Sequence, residues 1–338
     1  MRIALDAMGG DNAPGEIIKG AIEAIEILDS DDEIIMVGIQ DRIESHLAQI
    51  GGDCSHITII DAPEVIGMDE VPIDALRKKR KSSIAIMAKM ASRHQVDAVI
   101  SAGNTGASVA GCQLRMRNLE GVNRPGIAVI LPMLCGPVTM CDVGANVSCK
   151  PVNLYQYAVM AALYSKQILG IKNPRVGLMS IGEEETKGNE LVKKTRELLK
   201  SDSNLNFIGN IEGMDIFYGG CDVAICEGFL GNVVLKLTEG LAGMLFKAIR
   251  QELVEKDIEL AKKFQPVIGE IYRKYDYHEY GGAPLLGVNG TAMICHGSSK
   301  SRTIKNAIMA SKKFYMNKIN QQIVDYLASS SVGSENGK

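Results

Sequence analysis

The sequence predicts an α/β protein of the three-layer kind, a mainly parallel sheet with helices on both faces. Three observations predict it. Short apolar runs alternate with helix-compatible segments along most of the 338 residues. Six loops at presumed strand ends are built of small and polar residues, where open α/β sheets border a ligand crevice. Apolar residues make up 46% of the chain and charged residues 23%, the balance of a globular protein that can bury a sizeable core.

The elements follow in order. A strand over 2–7 runs into Asp6-Ala-Met-Gly-Gly-Asp11-Asn12-Ala-Pro14, and a helix is expected over 15–28. Strands are expected over 33–39 and 57–62. The basic run Arg77-Lys78-Lys79-Arg80-Lys81 precedes a helix over 82–94 that Ser82 can cap. A strand over 97–101 then enters Ser101-Ala-Gly103-Asn104-Thr105-Gly106-Ala-Ser108, followed by a helix-compatible segment. Such a junction offers free backbone N–H groups at a positive helix end, and anions bind there. Ser101, Asn104 and Thr105 add polar side chains, and the glycines let a ligand approach the backbone.

Strands over 126–132 and 139–143 come next, the second ending in Asp142-Val-Gly-Ala-Asn146. A helix over 152–169 leads to a strand over 175–181, a loop carrying Lys187 and a helix over 188–200. Strands over 206–211 and 221–226 follow, the latter entering Glu227-Gly-Phe-Leu-Gly-Asn232. The rhythm breaks at 235–263, a long amphipathic helical stretch with a second segment over 267–274 after Pro266. Two readings stand: a core helix, or a projecting pair that makes a dimer contact. A strand over 291–295 ends in His296-Gly297-Ser298-Ser299, a second candidate anion cradle, or a cap for a helix over 300–319. Residues 329–338 are small and polar and are expected to be a disordered tail to one α/β domain over 1–328.

Several function classes are disfavoured. A net charge of −3 with 5% aromatic residues and no Trp does not suggest nucleic-acid binding. The eight cysteines form no CxxC pair and suggest reduced, buried thiols. Cys295 beside His296 is the one adjacent Cys–His pair, but neighbours along a strand point to opposite faces. There is no Walker A pattern, no full GxGxxG and no GxSxG elbow, so neither a nucleotide cofactor nor a serine triad is supported. Asp6, Asp11 and Asp142 end strands, where they can bind metal or cap loop backbone; with no ligand cluster beside them, capping is the reading and no metal is expected. No secretion signal pattern and no run of about 18 apolar residues occurs, and the expected location is cytoplasmic.

With these loops in hand, the chain resembles the PlsX family of acyl carrier protein:phosphate acyltransferases. The resemblance rests on Ile3-Ala-Leu-Asp6-Ala-Met-Gly-Gly-Asp11-Asn-Ala-Pro14, Arg80-Lys-Ser-Ser83, Ser101-Ala-Gly-Asn-Thr-Gly-Ala107, Asp142-Val-Gly-Ala-Asn146, Gly228-Phe-Leu-Gly-Asn232, Tyr280-Gly-Gly-Ala-Pro-Leu-Leu-Gly287 and His296-Gly-Ser-Ser299. These motifs stand in family order over about residues 1–325. The chain departs from the family at Ile181-Gly-Glu-Glu-Glu-Thr-Lys187-Gly, where members often carry an Asn.

The resemblance implies a fold similar to phosphotransacetylases and isopropylmalate-type dehydrogenases, here with the inserted helical pair at about 235–274. It implies that inorganic phosphate attacks a fatty acyl carrier protein thioester, giving acyl phosphate for phospholipid synthesis, with no cofactor. It also implies a homodimer and a peripheral membrane contact. Phosphate is itself a nucleophile, which fits the lack of a Ser or Cys nucleophile. On this reading Lys187 and Asn232 stabilise the oxyanion and His296 protonates the leaving sulfur. Asp11, Asn12, Ser101, Gly103, Asn104, Thr105, Gly106, Asp142, Asn146, Gly297, Ser298 and Ser299 form the phosphate and substrate loops, and Arg77–Lys81 docks the acidic carrier. The alternatives are a phosphotransacetylase-like enzyme using acyl-coenzyme A, a non-catalytic docking protein for the carrier, and a dehydrogenase on the related fold.

Overall fold

The computed structural model describes residues 1–330 and 332; the remainder of the expected tail over 329–338 lies outside the described residues. Among the described residues one sheet of eleven strands forms: β1 (Arg2–Asp6), β2 (Glu33–Gly38), β3 (Ile57–Asp61), β4 (Ala98–Ser101), β5 (Gly126–Met133), β6 (Gly136–Cys141), β7 (Val176–Met179), β8 (Phe207–Ile211), β9 (Val223–Ile225), β10 (Ala283–Leu286) and β11 (Thr291–Ile294). Their spatial order is β3-β2-β1-β4-β11-β10-β5-β6-β9-β7-β8. The helices are α1 (Gly15–Ala24), α2 (Gln40–Ile50), α3 (Pro72–Lys78), α4 (Ser83–Ser92), α5 (Thr105–Met116), α6 (Pro151–Tyr164), α7 (Glu190–Ser201), α8 (Asp215–Tyr218), α9 (Gly228–Lys256), α10 (Ile258–Lys274), α11 (Ser301–Met316) and α12 (Ile319–Ser329).

The sheet is two parallel halves joined by antiparallel strands. β3, β2, β1, β4 and β11 run parallel, as do β6, β9, β7 and β8. β10 is antiparallel to both β11 and β5, and β5 is antiparallel to β6. The two halves therefore point in opposite directions, and their strand-end loops form two groups. The seam between the halves is short. β10 pairs with β5 only at Leu285↔Ile127 and Leu286↔Gly126, and with β11 at Ala283↔Ile294 and Pro284↔Met293.

Alternation along the strands builds the core on both faces. Ile34 and Met36 of β2 join Leu5, Ile100, Tyr157 and Ile304 on one face. Ile35 and Val37 join Val99, Met140, Met87 and Ile294 on the other. All are buried, which is why these strands read as continuous apolar runs. Burying each such side chain contributes roughly 1.5–3 kcal/mol. Ser82 caps α4 as expected, its hydroxyl accepting from the Ala85 N–H.

Two expectations need correction. β10 was not anticipated: four residues flanked by Gly-Gly and Gly, with Pro284 inside, carry almost no strand signal. The helical pair also divides elsewhere. α9 begins at Gly228, and the break falls at Asp257, not at Pro266. Asp257 is extended (φ −161°, ψ 112°) and its carboxylate accepts the Glu259 and Leu260 N–H groups, capping α10. Pro266 is accommodated within α10, a helix with no buried residue. The core-helix reading also fails, because only Gly228, Gly231 and Leu235 of α9 are buried. The arm projects.

Asp32, before β2, ties the first half to α11. It accepts from Lys312 Nζ at 2.6 Å, the Met1 amine at 2.7 Å and the Asp29 N–H at 2.9 Å. Burial alone would raise its pKa; the Lys312 and Met1 cations and the Asp29 N–H overcome this and hold it at about 2. A depressed carboxylate stabilises the fold above its unfolded pKa, and that contribution is lost as pH falls through the folded value. Asp32→Asn is therefore expected to cost roughly 2 kcal/mol at pH 7. In urea unfolding, the difference from wild type should shrink as pH falls from about 4 towards 2. A difference independent of pH would contradict this role.

Candidate functional site

A cavity of about 280 Å³ lies beside the seam between the halves, against β5, β10 and β11. Asp11, Thr105, His296 and Gly297 line it from the first half, and Val143 and Asn232 from the second. The two loop groups, though at the ends of oppositely directed strands, thus share one cavity.

The first-half wall is held by a buried carboxylate. Asp6 accepts from Ser101 Oγ at 2.7 Å and from the Met8 N–H at 3.2 Å, and Ser101 Oγ accepts the Gly103 N–H at 3.0 Å. Burial raises the Asp6 pKa, opposed by hydrogen bonds from Ser83, Ser101, Met8 and Gly9. Asn104 caps α5 by accepting the Ala107 N–H at 3.0 Å, and its amide donates to the carbonyls of Gly67, Met68 and Glu70. Ser101 and Asn104 therefore organise the loop instead of facing an anion. The Thr105 and Gly106 N–H groups remain as donors at the start of α5, with Thr105 on the cavity wall.

The companion loop is anchored to this one. The Asp11 N–H donates to the Gly297 carbonyl at 2.8 Å, and the Asn12 amide donates to the carbonyls of Ser298 and Ser299. Ser299 is buried, and its hydroxyl has no partner among the described residues. Neither serine caps α11. Lys300 holds the cap position, and Glu16 fills the helix end by accepting the Ser301 N–H at 2.7 Å. A carboxylate already complements the α11 dipole, so of the two expected cradles only the α5 end is open.

The second-half wall repeats the buried carboxylate. Asp142 accepts N–H groups from Ile127, Gly144, Ala145 and Asn146, and the Asn146 side-chain amide donates to Asp142, the Pro125 carbonyl and the Tyr157 hydroxyl. Burial raises the Asp142 pKa, and the Ala145, Ile127 and Asn146 N–H groups oppose that. Asp142 and Asn146 thus stand behind the wall. The first turn of α9 presses on this loop. A Cβ at Gly228 would lie 2.6 Å from the Asn146 carbonyl oxygen, and one at Gly231 would overlap the Asp142 carbonyl oxygen. Only glycine permits the approach, which aims the next turns of α9 at the cavity.

Those turns carry the expected Asn232 and two residues that sequence reasoning missed, Lys236 and Glu239; all three line the cavity. Lys236 Nζ bonds Glu239 at 2.9 Å and lies 3.3 Å from His296 Nε2, while His296 Nδ1 is 2.7 Å from Ser298 Oγ. A charged Lys236 ammonium donates to Nε2, and the Ser298 N–H also points at Nδ1, at 3.3 Å. The signal was present: Lys236 and Glu239 follow Asn232 at i+4 and i+7, one face of a helix. Lys187 is placed otherwise. It is exposed on the loop leaving β7, beside the β9 exit that starts α9, and is not part of the cavity wall.

Burial pushes the Cys112, Cys221 and Cys295 thiols up to about 12 and raises those of Cys141 and Cys226 as well, which disfavours thiolate chemistry at these positions. Among the described residues no cluster of His, Cys, Asp and Glu could hold a metal. Of the basic run, Lys79 is engaged by Glu70 and the Val65 carbonyl, while Arg77, Lys78, Arg80 and Lys81 are exposed. They sit at the end of α3, which packs on α5, beside the cavity's Met68–Thr105 edge.

Comparison with known proteins places this geometry. A family model described as "Fatty acid synthesis protein" matches residues 1–322. The chain is 48% identical over 316 residues to a phosphate acyltransferase of Desulforamulus reducens, and 49% identical over 318 residues to one of Heliobacterium modesticaldum, covering 93% of each chain in both pairs. Among solved structures, it is similar in fold to a phosphotransacetylase from Streptococcus pyogenes (TM-score 0.65, 16% identity, 94% of both chains). A Staphylococcus aureus phosphotransacetylase gives a TM-score of 0.63 at 14% identity, covering 93% of this chain and 94% of that one.

The glycine contact at Asp142 makes a prediction. Gly231→Ala should cost about 1–3 kcal/mol of stability by overpacking, and should also lower activity by displacing Asn232 and Lys236. Gly240→Ala, on the same helix with open space around its Cβ, should be neutral or stabilising by up to about 1 kcal/mol. Thermal denaturation of the pair checks this; equal effects would remove the argument for a tight contact.

Proposed function

The chain belongs to this family of phosphate acyltransferases, and on that premise we propose that it transfers a long-chain acyl group from an acyl carrier protein thioester to inorganic phosphate. The observation that carries the reading is one cavity with an open helix N-terminus on one side and the Lys236–His296 pair beside it. Phosphate is held by the Thr105 and Gly106 N–H groups. One of its oxygens attacks the thioester carbonyl carbon, and the carbonyl electrons move onto oxygen. Asn232 and Lys236 stabilise that oxyanion. The oxyanion collapses, the C–S bond breaks and the sulfur leaves with its electron pair. The Lys236–His296 pair delivers the proton that makes it a thiol and takes up in its place the proton that the phosphate hydroxyl loses. The products are acyl phosphate and free carrier, and acyl phosphate supplies phospholipid synthesis.

The exposed basic residues Arg77, Lys78, Arg80 and Lys81 face an acidic carrier. The projecting α9–α10 arm supports the remaining proposals. Leu237, Leu241 and Met244 form an exposed apolar stripe on α9, suited to a second copy of the chain. Leu260 and Phe264 of α10, also exposed, suit a peripheral contact with a lipid surface. α9 is long and apolar enough to cross a membrane by length and composition alone, but its place on the cavity wall favours the peripheral contact. The proposed location is the cytoplasm, at the membrane face.

The direct test is release of free thiol from acyl carrier protein and acyl-coenzyme A thioesters, with and without phosphate. Release that needs phosphate and prefers the carrier is expected; preference for coenzyme A supports the phosphotransacetylase-like alternative, and binding without release a docking protein. Lys236→Ala and His296→Ala are each expected to lower kcat by on the order of 10²-fold; near-wild-type turnover removes that residue from the mechanism. Reversing Arg77, Lys78 and Arg80 to Glu should raise KM for the carrier thioester and flatten its salt dependence. An unchanged KM would refute this docking surface.

A further inference from the structure

We infer that a second hollow, running from His296 along α9, is the binding groove for the acyl chain; this rests on the acyltransfer reading. The groove measures about 680 Å³, within the roughly 300–1,000 Å³ range of small-molecule sites. It is continuous with the phosphate cavity, since Leu235, Glu239 and His296 line both. His296, Ser298 and Glu239 are gathered at the end where a thioester carbonyl would meet phosphate. Further along, the lining is mostly apolar and aromatic, with Thr238 and Asp276 as the other polar residues: the end of β5, α8, and the facing surfaces of α9 and α10.

The helix geometry separates this groove from the other exposed apolar surface. Leu235, Glu239, Ala242 and Phe246 recur at i, i+4, i+7 and i+11 and turn one face of α9 to the groove. Leu237, Leu241 and Met244 lie on nearly the opposite face. Phe246 packs edge-on against Tyr272 of α10 with ring centroids 5.4 Å apart, closing the far wall. Leu134 and Tyr218 on the near wall are 82% and 76% exposed. A soluble chain seldom leaves such side chains in a contiguous hollow without an occupant. The occupant must be apolar, slender and attached to a reacting group at the His296 end, which describes the hydrocarbon chain of a thioester.

Gly243 offers a clean test. It lines the groove, and a Cβ there meets nothing within 4 Å, so Gly243→Phe fills the hollow without disturbing the fold. Activity is compared with hexadecanoyl and butanoyl carrier thioesters. The variant should lose about tenfold or more in kcat/KM for the long chain, where each buried methylene is worth roughly fourfold in affinity, and little for the short one. Gly240→Phe, equally unhindered but outside the groove lining, should leave the chain-length profile as in wild type. An unchanged ratio in Gly243→Phe, or an equal loss for both chains, overturns the assignment. Should that variant fold poorly, wild type photolabelled with a hexadecanoyl thioester carrying a terminal diazirine decides. Adducts at Leu134, Phe246 or Tyr272 support the groove, and adducts confined elsewhere overturn it. A wild type that makes no acyl phosphate from either thioester refutes the acyltransfer reading, and the groove with it.

Discussion

The contact of α9 with the Asp142 loop is the constraint on which the site depends. Asp142 gathers the N–H groups of Ile127, Gly144, Ala145 and Asn146 and so fixes the exit of β6 against the start of β5. Gly228 and Gly231 then let the first turn of α9 rest on that backbone. Every later residue of α9 inherits its direction from there: Asn232 faces the cavity, Lys236 reaches His296, and the groove face follows turn by turn. A buried carboxylate with its oxygens fully employed is stiff, since moving any donor leaves a buried charge less satisfied.

This arrangement reconciles the sheet with its function. The antiparallel β10 and β5 point the two parallel halves in opposite directions, which by itself would separate their loops. α9 returns from the second half to the loops of the first. Each half contributes a buried Asp at a strand end, Asp6 or Asp142, that orders a loop instead of meeting the substrate. Rigid loops that hold open N–H groups and a cation in fixed positions suit a reaction in which the substrate brings its own nucleophile. The protein then has only to orient the partners and stabilise the developing charge.

Much of this was legible in the sequence, for physical reasons that differ by element. Strands buried on both faces, such as 33–39 and 126–132, announce themselves as apolar runs. The small, polar loops at Asp6–Asp11, Ser101–Ser108 and His296–Ser299 stand out because backbone that meets an anion would need such residues, and in the structure Asp11, Thr105, His296 and Gly297 border one cavity. Other features were hidden. β10 is too short and too rich in Gly and Pro neighbours to read as a strand. The division at Asp257 was masked by the stronger breaker signal of Pro266. Asn104 and Ser101 have the right chemistry to bind phosphate, yet their neighbours claim their polar atoms, and no local pattern shows that. Lys236 looked like an ordinary exposed lysine on a long helix, and only the glycine-set direction of α9 reveals what it faces.

The central claim is that phosphate attacks the thioester directly, with no covalent acyl-enzyme between. The most direct measurement is a rapid-mixing experiment with stoichiometric enzyme and acyl carrier protein thioester, following free thiol and the mass of the chain. Without phosphate, the account predicts no burst of thiol and no acyl adduct; on adding phosphate, thiol and acyl phosphate should appear in equal amounts. A phosphate-independent burst of one thiol per chain, with the acyl group attached to the protein, would contradict it.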